Sequence, residues 1–147
     1  MSIDVNKETV RELFEAMDNG NYSELRAMLA PNFVCRLAGN VVARLAGNDD
    51  AMDSVAFLDL LKMLETSFAD SRHIIESQVA EGEEVVTRIV WTAIHVAEFN
   101  GIAASHNPVT VEAMATDRVI NGKIVEHWGL SDLMTLMMQI GEEPSRA

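Results

Sequence analysis

Asn121-Gly-Lys-Ile-Val-Glu-His-Trp-Gly-Leu-Ser-Asp132 is the stretch that decides how this chain folds. Asn-Gly between two apolar runs is the strongest short-range signal for a two-residue hairpin turn, because both central residues must take positive φ. The strand that leaves the turn sets a carboxylate, an imidazole and an indole side by side at Glu126, His127 and Trp128. Ser131 or Asp132 then caps a closing helix.

Outward from that hairpin the chain sorts into helices first and strands later. His73 to Ala80, Glu84 to Phe99, Val109 to Ile120 and Lys123 to Gly129 are rich in β-branched and aromatic residues. Turn signals at Glu81-Gly82, Asn100-Gly101, Asn107-Pro108 and Asn121-Gly122 separate them, which predicts an antiparallel meander. Upstream, Asp4 to Asp18 places Val10, Leu13, Phe14 and Met17 on one helical face and stops near Gly20. Asn21 with Glu24 resembles a capping box, opening a short helix that Pro31 closes. Asn32 to Leu37 reads as a short strand, and Ser54 to Phe68 as a third helix with a Phe57, Leu60, Leu61, Leu64, Phe68 stripe. The last helix carries Met134, Met137 and Met138, either gap-filling core or a deformable ligand surface, and a polar tail from Glu142 follows. The prediction is α+β: one domain over 1–147, a cone-like barrel whose curved antiparallel sheet wraps the N-terminal helices and leaves a pocket on its concave side.

Two local features fit this plan without adding chemistry. Arg36-Leu-Ala-Gly-Asn40 recurs as Arg44-Leu-Ala-Gly-Asn48, which reads either as two glycine turns around a short extended piece or as an accidental duplication, and not as a repeat architecture. Asp49, Asp50 and Asp53 precede the third helix, where its dipole favours negative charge; the spacing lacks the glycine and bidentate glutamate of a calcium loop.

Of the 147 residues 48% are apolar and 23% charged, the balance of a globular domain. A net charge of −12 lacks the clustered Lys and Arg that a phosphate backbone requires, so no nucleic-acid partner is expected. Cys35 is the single cysteine, which excludes an internal disulfide and suits a reducing cytoplasm. The polar N-terminal stretch does not read as a secretory signal, and no apolar run approaches the ~20 residues of a membrane span. His73, His95, His106 and His127 lack metal-ligand spacing, so no metal site is expected.

His95-Val-Ala-Glu-Phe-Asn-Gly-Ile102, Pro108-Val-Thr-Val-Glu112, Arg118, Gly122-Lys-Ile-Val-Glu-His-Trp128 and Asp132 together resemble the SnoaL-like polyketide cyclases (ester cyclases) of the nuclear-transport-factor-2-like superfamily. The likeness covers the chain in element order and is closest from about Arg88 to Gly141. It implies a cone-shaped α+β barrel with an internal cavity, usually a homodimer associated through the sheet. It also implies cofactor-free aldol cyclisation of a polyketide ester by an Asp beside a His. Those two positions fall at Gly129 and Ala115 here, and neither residue can transfer a proton. Fold is inherited more readily than chemistry.

The residues themselves supply other candidates. Counting straight from the turn pairs Asp117 with Glu126, Thr116 with His127 and Ala115 with Trp128, and a bulge would reverse these faces. In that register Asp117 and Glu126 are read as solvated near the hairpin tip, the alternative being a buried pair in which one carboxylate's pKa is raised. His127, with an ordinary pKa near ~6.5, is either a general base or a hydrogen-bonded core or interface histidine. Trp128 either walls a pocket for a flat ligand or packs under the last helix. Asp132 is either an acid/base at a cavity mouth or a first-turn carboxylate. The proton-handling candidates are therefore His127, Asp132 and His95. The ligand-contact candidates are Trp128, Arg88, Trp91, Glu112 and Arg118, with Glu112 or Asp132 as the acidic partner that a buried Arg88 would need. Two functions follow. One is a cyclase- or isomerase-like enzyme on an apolar cyclic or polyketide-like small molecule. The other is a ligand-binding or dimeric interaction module without catalysis.

Overall fold

The computed structural model describes residues 2–39, 45–47 and 51–141. Helices α1 (Ile3–Asp18) and α2 (Tyr22–Met28) lead into strand β1 (Leu29–Leu37). Helix α3 (Ser54–Ser67) follows, then β2 (Phe68–Glu81), β3 (Glu84–His95), β4 (Pro108–Ile120), β5 (Lys123–Ser131) and α4 (Leu133–Gln139). The second glycine turn, Asp49, Asp50 and the tail fall wholly or partly outside the described residues. Asn21 and Asp132 cap their helices as the sequence suggests, accepting the N–H of Glu24 and Thr135, and Ser2 and Asp53 also act as caps, accepting the N–H of Val5 and Ala56.

The sheet runs β1-β5-β4-β3-β2. Strands β2 to β5 are the expected antiparallel meander, but β1 joins parallel to β5, so the sheet is mixed. It is curved and not closed, with β1 and β2 as its edges. Pro31 lies inside β1 rather than ending the helix; an edge strand tolerates the missing N–H. Strand β2 starts five residues earlier than expected, directly out of α3, and a register shift beside Asp70 (φ 54°) bends it. Strand β3 stops at His95 instead of Phe99, because the N–H groups of Val96 and Ala97 turn to the Ser67 carbonyl.

Val10, Leu13 and Phe14 of α1, Leu25 of α2 and Phe57 of α3 pack on Val85, Ile89, Ala115, Val119 and Ile124 of the sheet. A second cluster joins Phe68, Ala93, Val109 and Val111 to Leu136 and Ile140 at the α4 end.

The hairpin is where the reading changes most. Asn121 (φ 50°) and Gly122 (φ 77°) make the two-residue turn, and Ile120 pairs with Lys123 and Val119 with Ile124 as counted. The register then slips: Arg118 faces Glu126, Asp117 faces His127, Thr116 faces Trp128 and Ala115 faces Gly129. Val125 is the extra residue of a bulge, and both it and Ile124 are buried. Every pairing beyond the bulge differs by one from the straight count, so His127 and Asp117 share a face and Trp128 moves to the other. Asp117, expected in solvent, is fully buried.

Candidate functional site

One rung of the sheet carries Cys35, His127, Asp117 and Val85 side by side across β1, β5, β4 and β3. Nδ1 of His127 lies 2.6 Å from Oδ1 of Asp117, and the two side chains are 8% and 0% exposed. Phe57 and Phe14 from the overlying helices face the imidazole at ring-centre distances of 5.7 and 6.3 Å. Burial alone would lower the His127 pKa, but the charge of Asp117 and its hydrogen bond reverse this, and the net direction is upward. Oδ2 of Asp117 is buried with no hydrogen-bond partner among the described residues, an arrangement that costs about 1–3 kcal/mol if left so. Burial, and then Asp117, push the Cys35 thiol up to about 12, so it is a protonated neighbour and not a nucleophile.

The next rung is bare. Ala115 and Gly129, where the resemblance puts His and Asp, pair directly across β4 and β5, one step along the same face from Asp117 and His127. A Cβ built on Gly129 would lie 3.0 Å from Leu37 Cδ2 and 3.8 Å from His127 Nε2. Nε2 therefore looks toward the position that carries the carboxylate in the resemblance.

The other candidates lie elsewhere. His95 belongs to the second cluster, fully buried against Phe68. Its Nδ1 accepts the Ser105 N–H at 3.1 Å, which puts the ring proton on Nε2; that atom is buried without a partner among the described residues. Trp91 packs edge-on against Phe68 and donates its N–H to Ser71 Oγ at 2.8 Å. Asp132 is an exposed helix cap, its pKa lowered by the hydroxyl and N–H of Thr135. Trp128 lies on the outer face with Arg36 above its ring, and Arg118 bridges Glu83 and Glu126 there. Arg88 is exposed beside Glu76 and Ser77, and Glu112 is exposed as well. So the structure brings His127 to Asp117, a residue the sequence reading left in solvent, and not to His95 or Asp132. The hidden signal was the pair of adjacent apolar residues Ile124 and Val125, which breaks strict alternation.

Two open clefts accompany this core. One, of about 460 Å³, is lined by Met63, Thr66, Ser67, Glu98, Phe99 and Asn100. The other, of about 440 Å³, lies on the outer sheet face around Val86, Met114, Thr116, Trp128 and Leu130, and reaches the backbone of Gly129. Neither is lined by His127, His95 or Asp132. Among the described residues no group of three or more His, Cys, Asp or Glu could hold a metal ion, and no helix is long and apolar enough to cross a membrane.

The SnoaL-like polyketide cyclase family profile matches residues 7–140. IdmH from Streptomyces antibioticus, to which polyketide cyclisation is attributed, is 30% identical, covering 93% of this chain and 99% of its own at a TM-score of 0.79. AclR from Streptomyces galilaeus, to which a hydroxylase activity is attributed, superposes at 0.84 with 24% identity over 99% of this chain and 91% of its own. A SnoaL-like protein from Jannaschia sp. CCS1 gives 0.82 at 21% identity, covering 98% of each chain. Those last two share the α+β fold of this chain. No functionally curated protein matches significantly. The profile match across most of the chain, together with the likeness to IdmH, shows that this chain belongs to the SnoaL-like polyketide cyclase family.

Proposed function

We propose that the protein is a cofactor-free acid/base enzyme acting on an apolar, carbonyl-bearing small molecule of polyketide type, with His127 handling the proton and Asp117 holding it. The observation that carries this reading is a buried imidazole–carboxylate pair among phenylalanines, one rung from the place where the family resemblance puts its own His and Asp. Asp117 fixes the ring through Nδ1 and favours the imidazolium, leaving Nε2 to act. In a ring closure, Nε2 gives a proton to the carbonyl oxygen as the new carbon–carbon bond forms. The enol oxygen of the attacking partner sheds a proton as it becomes a ketone, and that proton restores the imidazolium. A single proton carrier therefore balances the reaction.

A panel of enolisable β-keto esters tests this. Turnover should fall by about 10²–10⁴-fold in His127→Gln and Asp117→Asn, the range of one general acid/base. Saturable binding of the panel with no turnover would replace the enzyme with the second reading, a ligand-binding module. Ala115 and Gly129, which cannot transfer protons, favour that module, as do two clefts that bypass His127. Partner and compartment belong to the same proposal: a homodimer through the outer sheet face, where Met114 and Leu130 are 45% and 57% exposed beside Trp128, in a reducing cytoplasm that keeps Cys35 a thiol.

A further inference from the structure

His95 is a buried titratable group that the proposed reaction does not use. It lies at the end of β3, 0% exposed, with its ring 5.4 Å from that of Phe68. Residues 96–107 leave the sheet there as an arm, and β4 resumes it at Pro108. The arm folds on itself through the Phe99–Ile102 bridge, whose turn at Asn100 and Gly101 takes positive φ. Phe99 and Ile102 pack on the second cluster, with the Phe99 ring edge-on to Phe68 at 5.1 Å. Glu98, Phe99 and Asn100 of the arm and Met63, Thr66 and Ser67 of α3 together line the cleft of about 460 Å³.

One side chain ties down the far end of this arm. Nδ1 of His95 accepts the Ser105 N–H at 3.1 Å and lies 2.9 Å from Ser105 Oγ, which accepts the Asn107 N–H at 3.2 Å. The His95 carbonyl accepts the His106 N–H at 2.8 Å. His106 is held there at φ 58°, left-handed backbone that a residue with a Cβ seldom adopts.

The arrangement suits one protonation state. A neutral ring with its hydrogen on Nε2 presents a lone pair to Ser105, whereas a proton on Nδ1 would meet the Ser105 N–H head on. The hydroxyl can rotate to accept that proton; the backbone amide cannot turn away. Nε2 is already buried without a partner among the described residues, so an imidazolium would set a second N–H and a charge in an apolar site. Among the described residues no counter-ion meets it. Lys62 and Glu65 of α3 are engaged at Tyr22, and Asp70 of β2 and Glu112 of β4 are exposed. Asp132 before α4 binds Thr135; within the arm Glu98 takes the Gly101 N–H and His106 is exposed.

We propose that His95 is an acid-released latch. Neutral, it holds the 96–107 arm on the second cluster. Protonated, it lets go of Ser105, and the arm lifts to widen the cleft beside α3 and uncover Phe68. Two ties remain as hinges. At the start the Ser67 carbonyl accepts the Val96 and Ala97 N–H groups and Ser67 Oγ donates to the Glu98 carbonyl. At the end the Asn107 side chain donates to the Gln139 carbonyl of α4. The latch involves neither His127 nor Asp117 and stands or falls apart from the proposed chemistry.

Amide hydrogen exchange of the full chain tests this, read by NMR as protection relative to the unfolded-chain rate at each pH. From about pH 7.5 to about pH 5, protection of the Ser105, Phe99 and Ile102 amides should fall at least about tenfold, while that of the Ile89 amide in mid-sheet holds. His95→Asn, whose Oδ1 stands in for Nδ1 as acceptor and does not titrate, should keep Ser105 protected across the range. His95→Leu should leave it unprotected throughout. His106→Asn removes the arm's other histidine, keeps a residue suited to left-handed backbone, and should behave as wild type. Protection at Ser105 that ignores pH in wild type, or survives in a folded His95→Leu, would overturn the latch. So would a pH-dependent loss in His95→Asn equal to that of wild type, its absence in His106→Asn, or a parallel loss at Ile89.

Discussion

His127 sits between two opposed effects, a dry environment that disfavours its charge and a carboxylate at 2.6 Å that favours it. Because the carboxylate wins, the folded-state pKa lies above the ordinary 6.5. A raised histidine pKa stabilises the fold fully below the unfolded value, and that stabilisation is lost as pH rises through the folded value. The unfolding free energy of wild type should therefore decline relative to His127→Gln as the pH is taken upward from about 6.5. A difference that stays flat or grows with pH, measured by urea titration at fixed salt, would contradict the pairing. Removing the other partner is harsher. Asp117→Ala leaves a buried imidazole whose charge has no counter-ion, and the expected loss is about 3–5 kcal/mol, checked by the same titration. None of this was visible by straight counting from Asn121-Gly122, since that count put Asp117 opposite Glu126 and in solvent.

At the level of elements, the cause is the bulge at Val125. The extra residue puts Ile124 and Val125 both into buried positions and sets His127 on the inner face with Asp117. Deleting Val125 would leave Arg118 opposite Glu126 and Asp117 opposite His127, because it removes the residue that has no partner. The expected cost is the lost burial of one valine, about 1.5–3 kcal/mol, with the Nδ1–H signal of His127 retained in the NMR spectrum. Loss of that signal in a folded deletion variant would show that the curvature, and not the register alone, holds the pair. The caps were easier to read, since a short polar side chain before an apolar period has one favoured use. Asp132 illustrates it: Asp132→Ala should speed hydrogen exchange at the Thr135 amide, whose N–H it accepts at 3.1 Å. Strand ends were less legible. Phe68 looked like the end of a helix and Ala69 to Arg72 carried no strand signal, and the stop at His95 depends on the distant Ser67 carbonyl.

For the whole molecule, helices followed by strands were enough to give an α+β cone, because the segregation of the two periodicities leaves few ways to bury both. The parallel seating of β1 against β5 was not legible: it pairs residues about ninety positions apart, which no local pattern encodes. Nor was the division of the core into two clusters, which packs His127 against Phe57 and His95 against Phe68. The outer face carries the quaternary prediction. Sedimentation at micromolar concentration should show a dimer that Met114→Glu/Leu130→Glu converts to monomer, and a wild-type monomer would count against that interface. The central claim, that Asp117 holds His127 as a charged proton donor, is met most directly by titrating the imidazole resonances of wild type and Asp117→Asn. The account predicts a His127 pKa above 6.5 that falls when the carboxylate is neutralised. A value at or below 6.5 that ignores the substitution would contradict it.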